Sequence, residues 1–287
     1  MKRLPLLLSV CAIAGTCVSP LSAQIVQLGA NVEVGERYKN VPPKPTPRYA
    51  DGHVRLGAAP GEIGLWFPMV GVLERVVNPD TAETPPNYPA RPKLREIPFQ
   101  PWARALLEYR QGNQFEPHTR CKPSGGPRQF ITPYGVQFVD LPEIQRIFIL
   151  DEGGPHTYRT IHMDQESHPK NLVPSYYGHS IGHWEGDTLV VDTRGINEGF
   201  WLDRSGLPHT DRLHLIERFT RTDSKILKYE VTFDDPGAYT APWSGGFLMG
   251  WDPEQDVFEY VCQDNNLASG LMLGSQNAVN RTSVIVP

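Results

Sequence analysis

Beyond Gly126 the chain alternates apolar and polar residues with period two, in short runs separated by turn residues. Residues 145–150 and 156–164 form two such runs, with Gly153, Gly154 and Pro155 between them. Residues 183–193 fold back at Glu185 and Gly186, and residues 212–221 and 226–234 flank Thr222, Asp223 and Ser224. Residues 246–251 and 257–262 make the last pair, around Asp252 and Pro253. Alternation places successive side chains on opposite faces of a strand, so the pattern predicts serial hairpins. The expected fold is mainly β, an antiparallel meander that closes into a lipocalin-like barrel or packs as a sandwich. No βαβ rhythm appears, which argues against dinucleotide-binding or TIM-barrel architectures.

Upstream, prolines recur from Pro42 to Pro92 and break either periodicity, so residues 24–101 read as an extended arm packed on the body, anchored by the apolar stretch 63–77. Residues 102–287 then form the β domain. Residues 102–111 have helical spacing, with Pro101 suited to the first turn and Gly112 expected to end the helix.

Face assignment picks out one anomaly. Leu227, Tyr229, Val231 and Phe233 share a buried face, and on the partner run Leu213, Leu215, Glu217 and Phe219 do the same. Glu217 therefore interrupts an apolar stripe and must be paired or neutral; Arg159 and Arg218 are the candidate partners.

Composition is that of a folded chain: 39% hydrophobic, with 28 Pro and 26 Gly in 287 residues. The first 23 residues carry Lys2 and Arg3, an apolar run over 4–18, and Leu21, Ser22 and Ala23, the pattern of a secretory signal cleaved after Ala23. The apolar run is too short for a bilayer span, so a periplasmic or secreted protein without stable membrane insertion is expected. Basic and acidic residues number 27 and 32, giving −5; without Lys2 and Arg3 the balance is 25 against 32, or −7. An acidic chain lacking a basic run is a poor partner for nucleic acid. After cleavage two cysteines remain, Cys121 and Cys262, either bridged or separately buried as thiols.

Seven of the nine histidines lie between His156 and His214, amid Asp164, Asp187, Asp192, Asp203, Asp211 and Glu217. Imidazoles and carboxylates can divide acid and base work near neutral pH or bind a metal, but no HExxH or CxxC spacing names a metal or cofactor. Gly178, Ser180 and Gly182 satisfy GxSxG; a strand rather than a helix follows, so a nucleophile elbow is not expected. Glu185, Gly186 and Asp187 read as a tight turn and Trp184 as a core plug, although Gly182 and Trp184 also spell the GxW of lipocalin-like barrels in mid-chain. Residues 195–211 are long for a hairpin connection and read as a loop over a barrel mouth.

The runs GHSIGHWEGDTLVVDTRGIN, WLDRSGLPHTDRLHLIERF and DDPGAYTAPW, with Cys121, Pro127 and Arg128 before them and EYVCQDNN after, resemble an uncharacterised family of secreted bacterial proteins with a GHSxGxWEGDTLVVDT-type motif. The matching positions are His179, Trp184, Glu185, Asp187, Asp192, Asp203, His209, His214, Glu217, Asp235, Tyr239 and Trp243. The family's Arg-Pro-His-Pro-like string is replaced by Glu166, Ser167, His168 and Pro169. The resemblance implies export and carries no assigned reaction.

Two functional expectations follow. The first is a small, largely apolar or aromatic ligand in the barrel mouth, bound by Tyr177, Trp201, His214, Tyr239 and Trp243. The second is an acid-base or metal-assisted hydrolase, lyase or isomerase, with His179 and His209 as acid and base and Glu217 or Asp203 as the carboxylate.

Overall fold

A computed structural model describes residues 42–70, 74–114, 116–153, 157–259 and 262. Nine strands close into one barrel in sequence order: β1 (Leu65–Pro68), β2 (Val136–Leu141), β3 (Arg146–Asp151), β4 (Thr157–His162), β5 (His179–Glu185), β6 (Thr188–Arg194), β7 (His214–Arg221), β8 (Ile226–Asp234) and β9 (Trp243–Asp252). The expected barrel is present, with one departure from a pure meander. β4 and β5 are parallel, with Ile161 opposite Ser180 and His162 opposite Ile181. Parallel neighbours cannot be joined by a tight turn, so residues 163–178 climb the outside of the barrel and are tied to the exit of β6 by Ser175 N–H to the Gly195 carbonyl (3.0 Å) and Asn197 N–H to the Ser175 carbonyl (2.8 Å).

The alternation that predicted the strands also fills the barrel. Along β7 every second residue is buried, namely Leu215, Glu217, Phe219 and Arg221, and β8 contributes Leu227, Tyr229, Val231 and Phe233. Gly186 (φ +60°) and Asp187 form the two-residue turn between β5 and β6, with glycine at the first position where a positive φ is needed.

Two sequence expectations are corrected. Residues 257–259 form no strand, because the edge of β9 is already taken by β1, with Leu65 opposite Asp252 and Pro68 opposite Met249. Thus a strand from within the proline-rich segment closes the barrel. The helix, α1 (Pro101–Asn113), runs through Gly112, and it buries Ala103 and Leu107 while Trp102 and Tyr109 stay exposed.

Both ends of the barrel are covered. At one end, the arm end, Val54 and Leu56 are buried, the Trp66 indole donates to the Leu56 carbonyl (2.8 Å), and Arg221 donates to the carbonyls of Arg55 (2.8 Å) and Gly57 (2.9 Å). At the other, the loop end, a short 3-10 turn (Gly126–Phe130), buried throughout, enters as a plug. The Phe130 ring reaches Phe219 and Tyr229 at centroid distances of 5.5 and 5.0 Å. Arg128, fully buried in this plug, is forked onto Glu116 and donates to the Ile131 carbonyl (2.5 Å). α1 and residues 195–213 complete this cover. Among the described residues no helix is long and apolar enough to cross a membrane.

Candidate functional sites

The anomaly at Glu217 resolves as a buried charge network. Arg159 on β4 faces inward and forks onto Glu217, with Nη1 to Oε1 at 3.0 Å and Nη2 on Oε2. The remaining guanidinium donors reach Ser180 Oγ (2.9 Å) and Thr193 Oγ1 (2.6 Å), and Tyr229 donates its hydroxyl to Glu217 Oε1 (3.0 Å). Four of the five guanidinium N–H groups and both carboxylate oxygens are thereby bonded, which offsets the cost of burying the two charges. Ser180, the serine of the GxSxG string, is consumed here and lies on a strand.

The loop over the barrel mouth is packed down rather than free. Phe200, Leu202, Asp203 and Leu207 are at most 1% exposed. Asp203 accepts from Ser205 N–H (2.8 Å) and Ser205 Oγ (2.5 Å), and burial pushes its carboxyl above the usual range. His209 lies tilted against Phe200 (4.6 Å) with Nε2 3.2 Å from the Phe200 carbonyl and Nδ1 3.4 Å from that of Thr210, of which the neutral ring can donate to one, and burial lowers its pKa to about 4. The expected binding aromatics serve this packing. Tyr239 donates to the Pro208 carbonyl (2.7 Å), Trp243 stacks on Phe233 (4.1 Å), Arg110 covers Trp201 (5.3 Å), and Tyr177 donates to Asp151 (2.9 Å). Burial raises Asp151 to about 8, against the Tyr177 bond.

His179, His209, Asp203 and Glu217 therefore hydrogen-bond within separate surroundings. Two of the predicted residues, His179 and His214, do belong to one network, linked through His168 and Asp192. On the outer face, alternate positions of four adjacent strands present His162 (β4), His179 (β5), Asp192 (β6) and His214 (β7), and His168 docks on them from the crossover. His168 and His214 each place Nε2 2.9 Å from Asp192 Oδ1. His168 Nδ1 lies 2.9 Å from His179 Nδ1, and the His179 ring stacks on His162 at 4.7 Å. Burial raises the Asp192 pKa, but the bonds from His214 and His168 outweigh it and the net shift is downward. Among the described residues no group of three or more His, Cys, Asp or Glu side chains is arranged to hold a metal ion. His168 and Asp192 were not singled out as site residues; carrying the strand alternation across β4 to β7 would have placed Asp192 beside His179 and His214, but the docking of a crossover residue leaves no periodic signal.

A second place was missed altogether. At the arm end, a cleft of about 280 Å³ lies between the arm prolines Pro42, Pro45 and Pro47 and the buried Trp251 of β9. The arm is pinned along its rim by Lys44 N–H to Ser224 Oγ (2.9 Å), Ser224 N–H to the Lys44 carbonyl (3.0 Å), and Thr46 Oγ1 to the Arg221 carbonyl (3.1 Å). Among the described residues, Lys44, Arg221, Lys225 and the carboxylate Glu62 line the cleft. The Arg221 guanidinium lies over both Trp66 (4.9 Å) and Trp251 (5.1 Å), and its bonds go to the main-chain carbonyls of Arg55, Gly57, Asp223 and Ser224. Burial lowers its pKa to about 10, with Glu62 and Asp223 opposing. The signal available in sequence was the short proline series 42–47, whose exposed rings need an apolar surface to rest against.

No protein-family model, curated protein or solved structure matches the chain.

Proposed function

We propose that this protein is an exported binding barrel for a small, largely apolar molecule that carries an anionic group, and that the ligand sits in the arm-end cleft rather than beneath residues 195–211. The observation that carries the reading is Arg221, a cation only 4% exposed that lines the cleft with no carboxylate among the described residues bonded to it. Buried guanidinium groups are ordinarily paired with an anion. Proline rings and the Trp251 indole supply apolar walls, and Lys44 adds positive charge at the rim. Apolar walls with a few convergent polar groups are the usual make-up of small-molecule pockets. The volume suits a ligand of the size of octanoate or 4-phenylbutyrate. Export is supported by the Cys121–Cys262 disulfide, a bond that persists in oxidising compartments.

Calorimetric titration tests the reading with octanoate, 4-phenylbutyrate and octyltrimethylammonium. The two carboxylates are expected to bind, with Lys44→Glu weakening them severalfold, and the cation is expected not to bind. Equal binding of cation and carboxylate, or no binding of either acid, contradicts the proposal.

A further inference from the structure

We propose that the outer face of the barrel carries a catalytic site, distinct from the cleft, in which His179 is the general base for hydrolysis of small carboxylic esters and His168 and Asp192 are positioning residues.

The hydrogen-bond chain fixes the protons. An ionised carboxylate only accepts, so the His168 and His214 Nε2 atoms, each 2.9 Å from Asp192 Oδ1, both carry hydrogen. His214 confirms the logic independently, because its Nδ1 receives Nη2 of Arg194 at 2.9 Å and a guanidinium only donates. His214 is thus a neutral ring with Nδ1 bare. We assign His168 the same tautomer, which leaves its Nδ1 bare, 2.9 Å from Nδ1 of His179, and makes His179 the donor of that bond. The Nε2 of His179 is then a lone pair without a partner among the described residues, on a half-buried ring held in direction by a carboxylate two hydrogen bonds away. An orienting carboxylate behind an imidazole base is a general device for fixing tautomer and aim.

The charges around His179 favour its basic form. Burial, then His162 and His168, hold its pKa below the ordinary value. Beyond them stand Arg146, which pairs with Asp164 at 2.6 Å, and Arg194, the cross-strand neighbour of His179. Further along the same face His183 and Arg218 both meet Glu185. The ring is neutral and able to accept a proton at pH 7. Arg194 bonds His214 through one nitrogen and has further N–H groups on the same outer face to receive an ester carbonyl.

In the step proposed, His179 Nε2 takes a proton from a water molecule as the water oxygen bonds to the carbonyl carbon. The ester C–O bond then breaks, its electron pair leaves with the alcohol oxygen, and that oxygen takes the proton back from the imidazolium. Acid and alcohol are released and the histidine is restored.

The test is hydrolysis of 4-nitrophenyl acetate by the full oxidised protein between pH 5 and 9. The rate is expected to rise with pH through a single titration centred below 6.5 and then to level, as the base form fills. His179→Ala should lower the plateau on the order of a hundredfold. Asp192→Asn should lower it at least about tenfold and move the midpoint, with Asp192→Glu restoring part of both. Imidazole nitrogen NMR adds a readout that fold integrity does not move, with hydrogen expected on Nδ1 of His179 and on Nε2 of His168 and His214. No hydrolysis above the protein-free rate, full activity in His179→Ala, an Asp192→Asn profile identical to wild type, or hydrogen on Nε2 of His179 would each overturn the proposal.

Discussion

Glu217 and Arg159 are 0% and 2% exposed in the barrel interior, where either charge is tolerated only with its partner in place. Removing one charge leaves the other stranded, and the expected penalty is about 3–5 kcal/mol. Glu217→Gln should therefore unfold at a clearly lower urea midpoint than wild type, while Arg159→Met with Glu217→Leu should recover most of the loss, because an apolar pair of similar volume needs no counter-charge. If Glu217→Gln and wild type unfold together, the network contributes nothing to the fold. The carboxylate itself was legible in sequence, since it breaks an apolar stripe. Arg159 could only be offered beside Arg218 as its partner, and which arginine faces inward depends on the parity of β4: Arg159 is buried with Ile161, whereas Arg218 lies on the outer face and reaches Glu185 (2.9 Å).

At the level of elements, the period-two runs located β3 to β8 to within a few residues, because each is half-buried on a continuous ladder. β1 and β2 escaped. β1 is buried on every residue and lies among prolines, so it shows no alternation; the plug before β2 interrupts the pattern with a 3-10 turn. The parallel pairing of β4 with β5 was not legible either, as strand direction leaves no mark on alternation. Among the cysteines, sequence left a bridge and two thiols equally open, and the structure joins Cys121 to Cys262. This bond ties the segment that leads into the plug to the segment that follows β9, across a separation of 141 residues. Closing so long a loop restricts the unfolded chain by up to about 5 kcal/mol in the entropy account. Cys121→Ser is expected to lower the urea midpoint by a matching amount without changing the barrel's circular dichroism in the native state. An unchanged midpoint would mean that the plug is held by packing alone.

For the whole molecule, the decisive feature is that the two ends of the barrel are closed in different ways. The loop end is filled by side chains that satisfy one another: Phe130 against Tyr229, Tyr239 on the Pro208 carbonyl, His209 against Phe200. The aromatics and ionisable groups that made this end the natural mouth in sequence are largely spent on closing it. The arm end is closed by an extended proline segment, which has few hydrogen-bonding groups to seal against the barrel and leaves the cleft above Arg221 and Trp251. A ligand that reaches this protein should therefore be felt at the arm end. Nitrogen-proton correlation spectra of the labelled protein, with octanoate added stepwise, place it directly. The account predicts progressive shifts of the Trp251 indole N–H and of the Ser224 and Lys225 amides while the indoles of Trp201 and Trp243 stay fixed. Shifts confined to Trp201 and Trp243 would contradict it and return the binding site to the loop end.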